Sequence, residues 1–280
     1  MKKWLTLIVI TGLLSVLAAC GGQQADSGNS ASGSEPAKKD IKIGATVGPY
    51  SDMVTKAIKP IMEKEGYNVE VVEFNDYVQP NKSLANGSID ANLFQHILYL
   101  EQFKKDNKLE LSALISVPTA PVGIYSNKFK SIDEIPDGST VTVASDPTNL
   151  GRALLLLKAA GLIDVGNLDP ATVSEKDITS NPKNLKFEPV EAAQLPRTLD
   201  SVDAAVVPGN FALSAGMDLN SALQLENVPE NYRNQVVVST ANENADFAKA
   251  LKAAVESPEF EKVIDSDFQG FSKPEWMQNR

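Results

Sequence analysis

The sequence predicts an α/β chain folded as two lobes, on three observations. Short β-rich runs alternate with helix-like stretches from about residue 40 onward. The alternation falls into two blocks of similar size that meet near residue 130, and a late strand returns after the second block. Alternation of this kind builds βαβ units around a largely parallel sheet. Clefts between lobes, and the carboxyl ends of parallel strands, are where such folds bind ligands.

The chain opens on Lys2 and Lys3, followed by an almost wholly apolar run of 16 residues from Trp4 to Ala19. That is short of the roughly 20 residues a permanent transmembrane helix needs. A basic start, an apolar middle and a small-residue exit describe a secretory signal. Leu17-Ala18-Ala19-Cys20 reads as a lipobox, the site of lipidation and cleavage, although an uncleaved anchor helix also fits. Cys20 is the only cysteine, so no internal disulfide is possible, and acylation would consume the thiol. A diacylglyceryl group carries two chains, enough for stable anchoring. These features place the chain at the extracytoplasmic face of the cell membrane. Residues 21–39 lack large apolar side chains and read as a flexible tether.

From Asp40 the elements follow in order. Ile41 to Thr46 reads as a strand, Tyr50 to Glu65 as a helix, and Val69 to Phe74 as a strand. Tyr77 to Asn86 reads as a helix ending at Gly87, Ala91 to Phe94 as a short strand, and Tyr99 to Asp106 as a helix. Leu111 to Val117 and Val122 to Tyr125 are further strands. In the second block, Thr140 to Ala144 is a strand and Arg152 to Ala160 a helix closed by Gly161. Leu185 to Val190 is a strand, Ala192 to Asp200 a helix, and Ala204 to Val207 a strand. Gln235 to Ser239 returns as a strand before helices at Phe247–Val255 and Pro258–Ile264. The expected division is residues 40–127 with 230–280 as one lobe and 128–229 as the other.

The formal charge is −10, or −12 once Lys2 and Lys3 are removed. An acidic chain without a basic cluster argues against nucleic acid as a partner. No dinucleotide fingerprint, P-loop or nucleophile elbow is present. With His96 as the only histidine, a multi-histidine metal site is impossible. No carboxylate pair stands out as acid and base. The pattern favours a binding protein over an enzyme, with no cofactor, metal or catalytic residue expected.

Two segments carry candidate ligand chemistry. In Asp146 to Ile163, Pro147 and Asn149 sit where a helix should start, and Arg152 falls in or near its first turn. A cation there opposes the macrodipole unless an anion binds at the same place. Backbone N–H groups and a guanidinium would then converge on one carboxylate, with Asn149 on the same side. An exposed arginine paired with a surface acid satisfies the same pattern. In Phe74 to Leu100, Tyr77, Phe94, His96 and Tyr99 lie close together. Phe94 and His96 share a face if extended, and His96 and Tyr99 share one if helical. Rings with polar tips suit an apolar ligand carrying a few polar atoms, a thioether among them. A core aromatic stripe with one hydrogen-bonded histidine fits the spacing equally.

With the lipobox, these segments resemble the NlpA/MetQ-type methionine-binding lipoproteins, the substrate-binding components of ABC importers. The stretches that carry the resemblance are FNDYVQPN (74–81), IDANLFQH (89–96), DPTNLGRALLLL (146–157), NPKNLKF (181–187) and AAQLPRTLD (192–200). The resemblance implies a monomeric, two-lobed fold of the type II periplasmic-binding-protein kind, with a methionine-sized ligand held between the lobes and delivered to a permease and ATPase complex. By position it implies that Arg152 and Asn149 bind the ligand carboxylate. Tyr77, Phe94, His96 and Tyr99 would line the side-chain pocket, and Asn234 would help hold the α-amino and carboxylate groups. One departure stands out: the family usually carries asparagine where this chain has Pro208, which has neither an N–H nor a polar side chain. Asn210, two residues on, is the candidate substitute. Another amino acid or a methionine-containing dipeptide therefore stays open as ligand, as does a surface adhesin built on the same fold.

Overall fold

A computed structural model describes residues 39–279. The leader, Cys20 and nearly all of the tether lie outside the described residues. Among those described, no helix is long and apolar enough to cross a membrane.

The first block runs β1 (Asp40–Thr46), α1 (Pro49–Met53), α2 (Lys59–Lys64), β2 (Asn68–Phe74), α3 (Gln79–Ala85), β3 (Ala91–His96), α4 (Ile97–Asn107) and β4 (Leu111–Ser116). The second runs β5 (Gly123–Tyr125), β6 (Thr140–Ala144), α5 (Pro147–Ala159), β7 (Asp164–Val165), β8 (Ile178–Ser180), β9 (Lys186–Val190), α6 (Leu195–Thr198), β10 (Ala204–Val207), α7 (Gly209–Ser214) and β11 (Gln224–Leu225). The chain closes with β12 (Asn234–Ser239), α8 (Asp246–Val255), α9 (Pro258–Asp267) and α10 (Glu275–Gln278).

Among the described residues ten strands form two five-stranded sheets, ordered β2-β1-β3-β12-β4 and β9-β6-β10-β5-β11, and β7 pairs with β8. The two share one plan. A first strand (β1, β6) pairs in parallel with its two successors. An antiparallel strand (β12, β5) then occupies the fourth position and pairs with the edge strand. Each antiparallel strand is the first one the chain forms after crossing from the other sheet. The crossings, at 117–122 and 226–233, are tied together: Val117 N donates to Asn234 O at 2.8 Å and Glu226 N to Val122 O at 2.8 Å. The first crossing lies before β5, upstream of the 127/128 division expected from sequence, because the three residues of β5 carry no signal of which sheet they join.

Both faces of β10 (AAVV) and of the VVV run in β12 are covered, which is why these central stretches are continuously apolar. Val236 and Val238 of β12 face one core with Ile43, Met53, Leu93 and Phe260, while Val237 faces another with Leu84, Ile89 and Leu100. In β10, Ala204 and Val206 join Leu154 and Leu157, and Ala205 and Val207 join Leu195 and Phe211. The expected helix at Tyr50–Glu65 is present but carries a π turn at Val54–Ile58. Pro60 follows one residue later. Lacking an N–H, and clashing with the carbonyl four residues back, proline breaks the regular ladder there.

Candidate ligand-binding site

The site is built where parallel strands end. Tyr50 follows β1, Tyr77 follows β2, His96 ends β3, Asn149 and Arg152 follow β6, and Pro208 to Asn210 follow β10. Asn234 opens the antiparallel β12, opposite His96 in register. Both sheets thus point their carboxyl ends into one small, tightly closed cavity of about 20 Å³.

His96 resolves the strand-or-helix ambiguity by being at the junction. It is the last residue of β3, on the face of Phe94, and also caps α4, its Nδ1 accepting from Tyr99 N at 3.1 Å. With Nδ1 accepting, the ring proton sits on Nε2, which lies 3.2 Å from Asn149 Oδ1. Burial, reinforced by the positive Arg152, lowers the His96 pKa to about 3, so the ring is neutral. Asn149 passes the link on, its Nδ2 lying 3.1 Å from both oxygens of Asp146. Asp146 caps α5 by accepting from Asn149 N at 3.0 Å, and Pro147 occupies the first turn. Asn149 therefore bridges His96 to Asp146, instead of standing free beside Arg152.

Arg152 is 5 % exposed, which removes the surface-arginine reading. This residue lies in the second turn of α5, because the helix already starts at Pro147, and its anion comes from the chain itself. Glu226, just past β11, accepts from Arg152 Nε at 2.8 Å and Nη2 at 2.6 Å. Burial pushes the Arg152 pKa down, but the attraction of Glu226 outweighs it and the net direction is up. Two of five guanidinium donors are spoken for, leaving the Nη1 edge. The face of the guanidinium lies 4.7 Å from the Tyr232 ring, which also meets His96 edge-on at 4.9 Å.

The aromatic residues form a box. Tyr77, Phe94 and Tyr99 contact one another with centroids 5.9 Å apart, and Phe211 closes on Tyr77 at 4.8 Å. Tyr99 hydroxyl donates to Tyr77 O at 2.9 Å, and Tyr77 hydroxyl to Asn210 Oδ1 at 2.7 Å. That leaves Asn210 Nδ2 buried without a partner, a donor pair whose loss to burial costs roughly 1–3 kcal/mol unless something accepts from it. Asn234 Nδ2 donates to Phe94 O at 3.0 Å.

All eight sequence candidates, Tyr77, Phe94, His96, Tyr99, Asn149, Arg152, Asn210 and Asn234, line this cavity. Sequence reasoning missed Tyr50, Gln95 and Ala120 in its wall, and missed Glu226 behind Arg152. Tyr50 carried a usable signal, since it sits in the first βα turn. Glu226 carried none: it is one acid among many, beyond a two-residue strand.

Two α/β lobes of matching strand order, with a cavity lined from both, define a periplasmic-binding-protein-like fold. The chain belongs to the NlpA lipoprotein family, whose pattern it matches over residues 41–276. It is 37% identical to the D-methionine-binding lipoprotein MetQ of Escherichia coli K12 over 279 residues, covering 98% of this chain and 99% of that one. A nutrient binding protein from Burkholderia cenocepacia solved bound to methionine is 40% identical, with a TM-score of 0.78, covering 82% of this chain and 97% of that one. A crystal structure of the methionine binding protein MetQ is 39% identical, with a TM-score of 0.80, covering 84% and 98%.

Proposed function

We propose that the cavity holds a free amino acid, methionine first, and that the protein is a monomeric receptor delivering it to the permease and ATPase of an ABC importer. No chemistry is done on the ligand. Processing at Cys20 and lipidation there, with palmitate-type chains, would anchor it at the extracytoplasmic face of the membrane. The lobes would be the two sheets with their helices, hinged at the paired crossings.

The observation that carries this reading is the polarity of one small cavity. Unspent donors, the Arg152 Nη1 edge and Asn210 Nδ2, suit a carboxylate. An aromatic box suits an unbranched thioether, whose sulfur makes favourable contacts at ring edges. Glu226 holds the guanidinium plane, so the arginine is oriented before ligand arrives. Relatives named for methionine binding support the same choice.

Native mass spectrometry of gently purified protein, then calorimetry with L- and D-methionine, other amino acids and methionine dipeptides, tests it. Arg152→Ala should weaken methionine binding at least tenfold, about 1.4 kcal/mol. Unchanged affinity removes Arg152 from the site, and a protein that retains and binds no small molecule favours the adhesin reading.

A further inference from the structure

Strand β3 is irregular where it reaches the cavity. Along β12, Gln235 faces Gln95 and the next residue, Val236, faces Leu93, so the register passes over Phe94. An extra residue of this kind is a β-bulge: it stays outside the ladder and re-aims the side chains around it. The effect is visible in its neighbours. By simple alternation Gln95 would share the face of Leu93, which packs in the first core with Ala91. Instead Gln95 lies with Asn92, its Nε2 donating to Asn92 Oδ1 at 3.1 Å. Phe94 itself lines the cavity, its ring centroid 5.9 Å from those of Tyr77 and Tyr99.

Two sets of hydrogen bonds hold the bulge. Asn234 Nδ2 donates to Phe94 O at 3.0 Å, giving the extra residue a partner. Gln95 and Asn81 form a reciprocal amide pair: Asn81 Nδ2 donates to Gln95 Oε1, and Gln95 Nε2 to Asn81 Oδ1, each at 2.7 Å. Asn92 Nδ2 donates to the same Asn81 oxygen at 3.0 Å. Asn81, Asn92 and Gln95 are all buried, so displacing one amide strands the others where no solvent replaces the bond. Both Gln95 amide hydrogens are used, which leaves this side chain no donor for a ligand. Asn81 sits in α3, which starts two residues after Tyr77. The amide pair therefore ties the Tyr77 wall of the aromatic box to the Phe94 wall.

We propose that Gln95 is a positioning residue for side-chain recognition: its amide pair with Asn81 holds the bulge that turns Phe94 into the cavity, and so fixes the box at the width of an unbranched side chain. The inference rests on reading the cavity as an amino-acid site. Gln95 acts through Phe94, without a polar contact of its own to the ligand. Loosening the pair should cost discrimination between side-chain shapes more than it costs binding of amino acids as a class.

Calorimetry of L-methionine and L-leucine on wild type and Gln95→Met tests the assignment. Pockets separate apolar side chains by roughly 10–200-fold, and the methionine-to-leucine affinity ratio should fall about fivefold or more in Gln95→Met. Asn81→Leu/Gln95→Met removes both halves of the pair, strands fewer groups if the single variant folds poorly, and should lower the ratio as far. In a Phe94→Leu background, adding Gln95→Met should move the ratio by less than about twofold, because the residue it acts through is gone. An unchanged ratio in the wild-type background, or an equal fall in the Phe94→Leu background, overturns the proposal. Hydrogen exchange of the ligand-free proteins is the arm that does not depend on ligand: Gln95→Met should speed exchange about tenfold in residues 91–96 and leave residues 140–144 unchanged. Uniform or unchanged exchange overturns the role of the pair in holding the bulge. A wild type that binds neither amino acid, with exchange altered as expected, overturns the amino-acid reading and not the bulge.

Discussion

Replacing Glu226 by glutamine removes the charge that balances Arg152 while keeping shape. The two side chains are 9% and 5% exposed, so solvent screens the pair little. At ~4 Å and an effective dielectric of ~20, opposite unit charges attract by about 4 kcal/mol. Removing one partner of a buried pair costs about 3–5 kcal/mol, because the other charge stays buried and unmatched. Glutamine retains one acceptor oxygen for Arg152 but turns an amide toward the second donor, so the low end, about 3 kcal/mol, is expected. For a chain of this size each kcal/mol moves the melting temperature by roughly 2–4 °C, giving a fall of roughly 6–12 °C. Urea unfolding of the mature protein measures the loss, and the Arg152→Gln/Glu226→Gln double variant isolates the coupling. The neutral pair should be more stable than Glu226→Gln alone. Saturating methionine should restore part of the loss, its carboxylate standing in for Glu226. A single-variant loss under about 1 kcal/mol, or a double variant no better than the single, would show that the pair does not hold the site together.

Three further outcomes follow from the same geometry. The unfolded chain protonates His96 as pH falls through 6.5, whereas the folded chain does so only near 3. Stability should therefore drop across that window, on the order of 3 kcal/mol by pH 4. Asp146, its pKa raised by burial, gives some stability back by taking up a proton in the folded state. Urea titrations at several pH values should show a shallower slope for His96→Gln, and an unchanged slope would refute the assignment. Asn81 Oδ1 accepts from Asn92 Nδ2 at 3.0 Å and from Gln95 Nε2 at 2.7 Å. Asn81→Ala strands Asn92 Nδ2 and the Gln95 Oε1 that accepts from Asn81 Nδ2 at 2.7 Å, while Gln95 Nε2 keeps Asn92 Oδ1 at 3.1 Å; it should cost about 3 kcal/mol in chemical unfolding, at about 1–3 kcal/mol for each stranded group, and a loss under 1 kcal/mol would show that the amides find other partners. Ser214 Oγ, on α7, shares its one proton between Asn210 O at 2.7 Å and Val47 O, just past β1, at 2.8 Å, and the second is a contact between lobes that touches no ligand. Ser214→Ala should speed methionine release by two- to tenfold, about 0.5–1.5 kcal/mol, with little change in melting of the ligand-free protein; stopped-flow dissociation reads this directly, and an unchanged rate removes Ser214 from closure.

How far the sequence could be read depended on whether a signal was local. Strands such as Thr140–Ala144 and Ala204–Val207 are dense in β-branched and small apolar residues and lie where expected. The α5 start, with Asp146, Pro147 and Asn149, is marked by residues that act within one turn. Helix α7 was not foreseen, because Gly209 to Ser214 has no capping side chain and only six residues. The hairpin of β7 and β8 was missed for the same reason, as its strands are two and three residues long. Sheet membership was out of reach for β5, since pairing with β10 and β11 is settled by residues 80 or more positions away.

The site shows the same divide between residue type and partner. Aromatic and polar candidates were legible one by one, but their hydrogen bonds join residues distant in sequence: His96 with Asn149, Tyr77 with Asn210, Arg152 with Glu226. This changes the meaning of Arg152. A buried guanidinium implies an anion nearby, and the chain supplies one before any ligand does. In the proposed reading, ligand recognition would depend on what Glu226 leaves over, the Nη1 edge, together with donors that have no internal acceptor. Asn210 Nδ2 is such a donor, and it is available because Tyr77 has taken the carbonyl end of the same amide. Pro208 in the cavity wall therefore does not leave the site without donors.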